Sequence, residues 1–178
     1  MRFVLSECFG VFRMLLIAIL LTASIPLDAT AFENEPAGFR GIKWNTSLFQ
    51  VPGLVLAEKD GEVRVYNKTN DALKLGGATL NGIHYTFYRD RFYSVNLTFN
   101  NPVHYDLLKQ YTFEVYGPGQ SESTMWRKTW WWTGENVNVR LDYSLLMREG
   151  TLCFTYLPLY QQFDADRLEA ARGGLDAN

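Results

Sequence analysis

Two hydrophobic periods divide this chain. Between residues 54 and 99 apolar side chains recur at every second position. Val63 and Val65 share a face in 62–66; Ile83, Tyr85 and Phe87 oppose His84, Thr86 and Tyr88; Tyr93, Val95, Leu97 and Phe99 oppose Ser94, Asn96 and Thr98. Such alternation predicts half-buried antiparallel strands with one wet face. Polar residues 67–71 and Arg89-Asp-Arg91 supply turns, and Asn81-Gly82 is either a two-residue hairpin turn or a kink in a longer strand. At Asn101 the period lengthens. Asn101 as cap, Pro102 in the first position, and Val103, Leu107, Tyr111 and Val115 at four-residue spacing, widened by Leu108, predict an amphipathic helix. Gly117 and Pro118 end it. Alternation returns in 125–133, 137–143 and 151–157, with turns at 134–136 and 148–150. Residues 164–172 predict a short terminal helix stopped by Gly173 and Gly174, and Asn45-Thr-Ser47 caps a brief helical turn stopped by Pro52 and Gly53. The expected fold is α+β: a mainly antiparallel sheet of about six strands, with one central amphipathic helix and a short C-terminal helix packed on one face.

The first 31 residues follow neither period. Arg2 and Arg13 lead into an apolar run over 14–24, and Ala29-Thr-Ala31 presents small residues ahead of Phe32. This is the anatomy of a secretory signal peptide cleaved after Ala31. Thr22, Ser24, Pro26 and Asp28 interrupt the run, which falls short of the roughly 20 apolar residues a membrane span needs. The expectation is a periplasmic or secreted protein with no integral membrane anchor after cleavage. Residues 32–38 read as a flexible lead, 39–172 as one domain and 173–178 as a polar tail.

Composition narrows the chemistry. The net charge is −2 and no stretch is strongly basic, which argues against nucleic acid as a partner, since its capture depends on clustered Lys and Arg. Cys8 leaves with the signal, so Cys153 has no intramolecular disulfide partner. It reads as a small packing residue in a strand, with a nucleophile or redox centre as the sharper alternative. His84 and His104 are the two histidines, too few and too far apart for zinc, which takes three or four ligands at short spacing. No spacing sets an activated Ser or Cys against a His and a carboxylate. The expectation is a protein without metal or cofactor that acts by binding and is not an enzyme.

Aromatic residues, at 15% of the chain, carry the remaining signal, concentrated in Trp126-Arg-Lys-Thr-Trp130-Trp131-Trp132. On a strand, Trp126, Trp130 and Trp132 would share one face and Trp131 the other. The row is either core beneath the helix or a surface that stacks on sugar rings or grips a partner. A one-sided sheet cannot bury both faces, so Trp131 or the row should stay partly exposed. Arg127, Lys128, Trp130 and Trp131 are therefore the candidate contact residues for an envelope protein. The alternative is a small ligand, a sugar or lipid fragment, in an aromatic pocket between helix and sheet. A second candidate surface is the outward row of His84, Thr86 and Tyr88 with Ser94, Asn96 and Thr98, for which an ordinary solvated sheet face is the plain alternative.

Phe39-Arg-Gly-Ile-Lys-Trp44-Asn-Thr46, the hairpin Tyr85-x-Phe87-Tyr88-x-Asp90-Arg91-Phe92-Tyr93-x-Val95, the helix ending in Tyr116-Gly117 and the Trp-rich strand resemble a set of small exported bacterial proteins of unassigned function, over 39–158. More remotely, the order of helical lead, aromatic hairpin and helix ending in Tyr-Gly is similar to the beta-lactamase-inhibitor-like fold shared with small outer-membrane assembly lipoproteins. The acylated cysteine of those lipoproteins is absent here. The resemblance implies a scaffold that binds proteins or ligands and supplies no catalytic residue.

Overall fold

The computed structural model describes residues 32–175; the expected signal peptide, with its cleavage point, and the last three residues lie outside the described residues. Two short ribbons and one large sheet make up the strands. The first ribbon pairs β1 (Gly38–Phe39) with β2 (Ile42–Lys43), and the second pairs β5 (Lys74–Leu75) with β6 (Ala78–Thr79). The sheet comprises β3 (Leu54–Asp60), β4 (Val63–Lys68), β7 (Gly82–Tyr88), β8 (Arg91–Asn100), β9 (Gln120–Ser123), β10 (Arg127–Thr133), β11 (Val137–Ser144) and β12 (Glu149–Tyr156). Its order is β3-β4-β7-β8-β12-β11-β10-β9, with antiparallel pairing throughout. Two four-stranded meanders thus meet at β8 and β12. Helix α1 (Pro102–Tyr116) carries the chain from β8 to the far edge, and α2 (Leu157–Leu175) follows β12 directly.

The sheet has eight strands where period two marked about six. The additional pairing comes from β3, whose exposed positions do not alternate, and from β9, whose sequence Gln-Ser-Glu-Ser has no apolar residue to reveal it. The Asn81-Gly82 step is not a hairpin turn. It leads from the β5–β6 ribbon into β7, with the Asn81 N–H donating to the Thr98 carbonyl (2.7 Å).

Alternation assigns the faces. Ile83, Tyr85, Val95, Leu97, Val139, Leu141, Leu152 and Phe154 are buried on one face, where α1 contributes Tyr105, Leu108 and Tyr116 to the same core. Asn101 caps α1 by accepting from the Val103 N–H (3.0 Å), and Gly117 ends it at a φ of 76°. The buried stripe is Tyr105, Leu108, Thr112 and Tyr116, rotated from the expected one. Val103 points to solvent, while Leu107 and Val115 pack at the margin of the core.

The two helices lie on opposite faces, which corrects the expectation of a single covered face. Tyr88 and Tyr93 project away from the α1 side, and Phe163 of α2 sits against both rings at 5.4 and 6.4 Å between centroids. The Tyr88 hydroxyl donates to Asp166, which also pairs with Arg89 (3.0 Å). A β-bulge after Thr86 leaves Tyr93 unpaired on β8 and turns its ring toward α2. The helix begins at Leu157 rather than Asp164, because Pro158 is tolerated in a first turn, and it continues through Gly173 and Gly174.

The stretch 32–38 is docked, although its sequence reads as a flexible lead. The Glu33 N–H donates to the Tyr116 carbonyl (3.2 Å), and the Phe32 ring lies edge-on to Tyr116 at 5.3 Å. The Glu35 carboxylate accepts from the backbone N–H groups of Glu135, Asn136 and Val137, fastening the β10–β11 turn. The Trp44 indole N–H donates to the Pro36 carbonyl (2.6 Å), and its ring stacks on Phe92 at 4.9 Å.

Candidate functional site

Strand β10 positions the four candidate residues, and its alternation separates them into two pairs. Lys128 and Trp130 face α1. The Trp130 indole donates to the Tyr105 hydroxyl (2.9 Å), the Lys109 ammonium lies 4.4 Å from its ring centre, and the Lys128 ammonium lies 5.3 Å from the Tyr105 ring. Trp132 continues this face into the core, donating to the Gly117 carbonyl (2.8 Å) with its ring edge-on to Phe113. The space between α1 and the sheet is thus occupied by the protein's own rings, including Tyr105 over Tyr143 at 5.0 Å and Tyr116 against Phe154 at 6.1 Å.

Trp131 projects from the other face, half-buried, on the side where α2 packs against β8 and β12. Its indole N–H donates to Gln120 Oε1 on the neighbouring strand (2.7 Å), which holds the side chain in place. With Trp126 and Arg127 it lines an open groove of about 600 Å³ that also takes in Glu122, Asn138 and Arg140. Strand parity placed Trp126 on the Trp130 face, but Trp126 lies with Trp131 instead. It precedes β10, in a turn where Thr124 Oγ1 accepts the Arg127 N–H (3.2 Å), and it is 62% exposed.

The groove is electrostatically mixed. Arg140 is paired with Asp142 (2.7 Å), and Asp142 also accepts from the Thr129 hydroxyl (2.7 Å). Arg127 has no ion-pair partner among the described residues. Asn138 Oδ1 is buried without a hydrogen-bond donor.

Beside the groove lies a feature the sequence reading passed over. Met125 and Trp126, in the β9–β10 loop, and Leu145, Leu146 and Met147, in the β11–β12 loop, are all exposed. The Leu145 N–H donates to the Trp126 carbonyl (2.9 Å), tying the two loops together. Trp126, Leu146 and Met147 line a second open groove with Thr98 and Asp142. The signal was available: three consecutive apolar residues stand between two strands, where a turn would ordinarily be polar.

The row headed by His84 is only partly open. Tyr88 is covered by α2, and Ser94 is buried with its hydroxyl donating to the Phe154 carbonyl (2.9 Å). His84 Nδ1 lies 2.9 Å from the Asn67 side-chain oxygen, an amide rather than a carboxylate. Cys153 Sγ has Ser94 Oγ at 3.6 Å and Thr155 Oγ1 at 3.5 Å, neither of which is a base. No group of three metal-ligating side chains occurs among the described residues.

The shifted titrations belong to the scaffold. Burial pushes Tyr85 and Tyr116 well above the ordinary phenol value, helped at Tyr85 by its bond to Asp71 and at Tyr116 by Tyr111. Burial beside Cys153 and Tyr160 pushes Tyr93 up to about 12. Burial also raises Tyr105, opposed by the hydrogen bond from Trp130. None of these groups lines the Trp131 groove.

Comparison with known proteins adds no relative: no family model, curated protein or solved structure matches the chain.

Proposed function

We propose that this protein is an exported binding module of the bacterial envelope, acting without catalysis, and that it engages a partner protein through the apolar tip of the β9–β10 and β11–β12 loops. The observation that carries this reading is the exposure of Met125, Trp126, Leu145, Leu146 and Met147 on two hydrogen-bonded loops at one end of a rigid sheet. Large apolar side chains gathered in one exposed patch mark interaction sites, and Trp and Met are enriched at protein interfaces. The rim mixes charges, with Arg127 and Arg148 beside Asp142 and Glu149. A membrane surface would instead favour a cationic rim. Export rests on the leader pattern of residues 1–31, and the resemblance to small exported bacterial proteins points the same way.

A photoreactive residue at Leu146, in the full chain expressed in its own host, tests the contact. A protein adduct of one mass that forms at Leu146, and is absent when the same group is placed at exposed Val103 on α1, supports it. Lipid adducts alone, or equal labelling at both positions, would overturn it.

A further inference from the structure

The groove over β9–β11 is distinct from the apolar tip in chemistry. We infer that it is a binding site for a neutral oligosaccharide, with the rings of Trp131 and Trp126 as stacking surfaces and Asn138, Glu122, Arg127 and Arg140 as the groups that read hydroxyls.

Four observations converge on this class. Two indoles border one open groove, and the hydrogen bond from Trp131 to Gln120 fixes one of them in advance. A pre-positioned ring loses little freedom on binding, so its apolar area contributes to affinity rather than to ordering. Asn138 lines the same groove, and its side-chain amide is the kind of group that both donates to and accepts from hydroxyls. Charges around the groove balance, since the cations Arg127 and Arg140 stand with the carboxylates Glu122 and Asp142. That balance selects neither a polyanion nor a polycation, while each of these side chains can bond to hydroxyls. The groove is also open and about 600 Å³, within the range of small-molecule sites.

The site does not depend on the protein contact proposed at the tip. Trp126 and Arg127 border both, whereas Trp131 and Asn138 belong to the groove alone. The five tryptophans provide an internal control, because Trp44 and Trp132 are buried on the α1 side.

The test is a nitrogen-15 NMR titration of the protein, expressed from its full-length sequence, with maltotriose, cellotriose and chitotriose. At least one should bind with a Kd of roughly 1 mM or tighter. It should shift the indole N–H signals of Trp126 and Trp131 and leave those of Trp44 and Trp132 in place. Trp131→Ala should weaken binding about tenfold, the loss expected of a central aromatic contact. Trp131→Phe should recover most of it, which separates stacking from a folding defect. Leu146→Ser, at the tip, should leave sugar binding unchanged. Three outcomes would overturn the inference: no binding of any of the three sugars, shifts confined to Trp44 or Trp132, or equal binding by Trp131→Ala. Tighter binding of a uronic acid trimer than of the neutral sugars would overturn its neutral character.

Discussion

Strand β10 carries tryptophans on both faces, and the two sides have opposite surroundings. On the α1 side, Trp132 is 2% exposed and Trp130 is capped by Tyr105 and Lys109. On the other side, half-buried Trp131 joins exposed Trp126 in an open groove. Neighbouring residues of one type therefore serve as core and as surface, and what separates them is the placement of the helices. Helix α1 spans its face of the sheet. Helix α2 leaves β12 and covers the Tyr88 and Tyr93 end of the opposite face, away from the Trp131 groove.

The largest effect should come from breaking the buried side. Trp132→Ala removes a ring packed against Phe113 and Tyr116 and leaves the Gly117 carbonyl without its donor. Denaturant unfolding should show a loss of about 3–5 kcal/mol. Next comes the region under α2. An unfolded tyrosine ionises near 10, whereas Tyr93 in the fold holds its proton up to about 12. The folded state therefore binds more protons above pH 10. Stability from this group is complete below about pH 10 and is lost as pH rises toward 12. Tyr93→Phe should flatten part of that alkaline decline in Tm, and an unchanged slope would contradict the burial.

Trp130→Ala should cost an intermediate amount, about 1–2 kcal/mol, since it removes one hydrogen bond and a cation–π contact at a half-buried site. The smallest effects belong to the open side. Trp131→Ala, which removes a half-buried ring and its hydrogen bond to Gln120, should cost about 1 kcal/mol, and Leu146→Ser at the exposed tip about 0.5 kcal/mol or less. A loss at Trp131 as large as that at Trp132 would erase the contrast between the two faces.

Much of the fold was legible because period two and period 3.6 each leave a direct trace. The β7–β8 hairpin lies where Ile83 to Phe99 alternate, and α1 runs between its Asn101 cap and Gly117. Strand β9 escaped because an edge strand can be entirely polar, and the start of α2 escaped because Pro158 reads as a break. The docked lead was hidden for another reason. Glu35 is an ordinary surface carboxylate in sequence, and its partners lie a hundred residues away.

The candidate site was legible only by residue type. Tryptophan density pointed to β10, and strand parity set Trp131 apart from Trp130 and Trp132. It could not show that Lys128 and Trp130 would lie under α1, nor that Trp126 would leave the strand and turn toward the groove.

The chain's own pattern thus determined an antiparallel α+β protein with a capped central helix, since periodicity and caps are properties of neighbouring residues. Which tryptophans became core was decided by tertiary structure alone. Burial depends on the helix that lies over each face, and the sites of α1 and α2 follow from contacts between residues far apart in the chain, such as Tyr88 with Asp166.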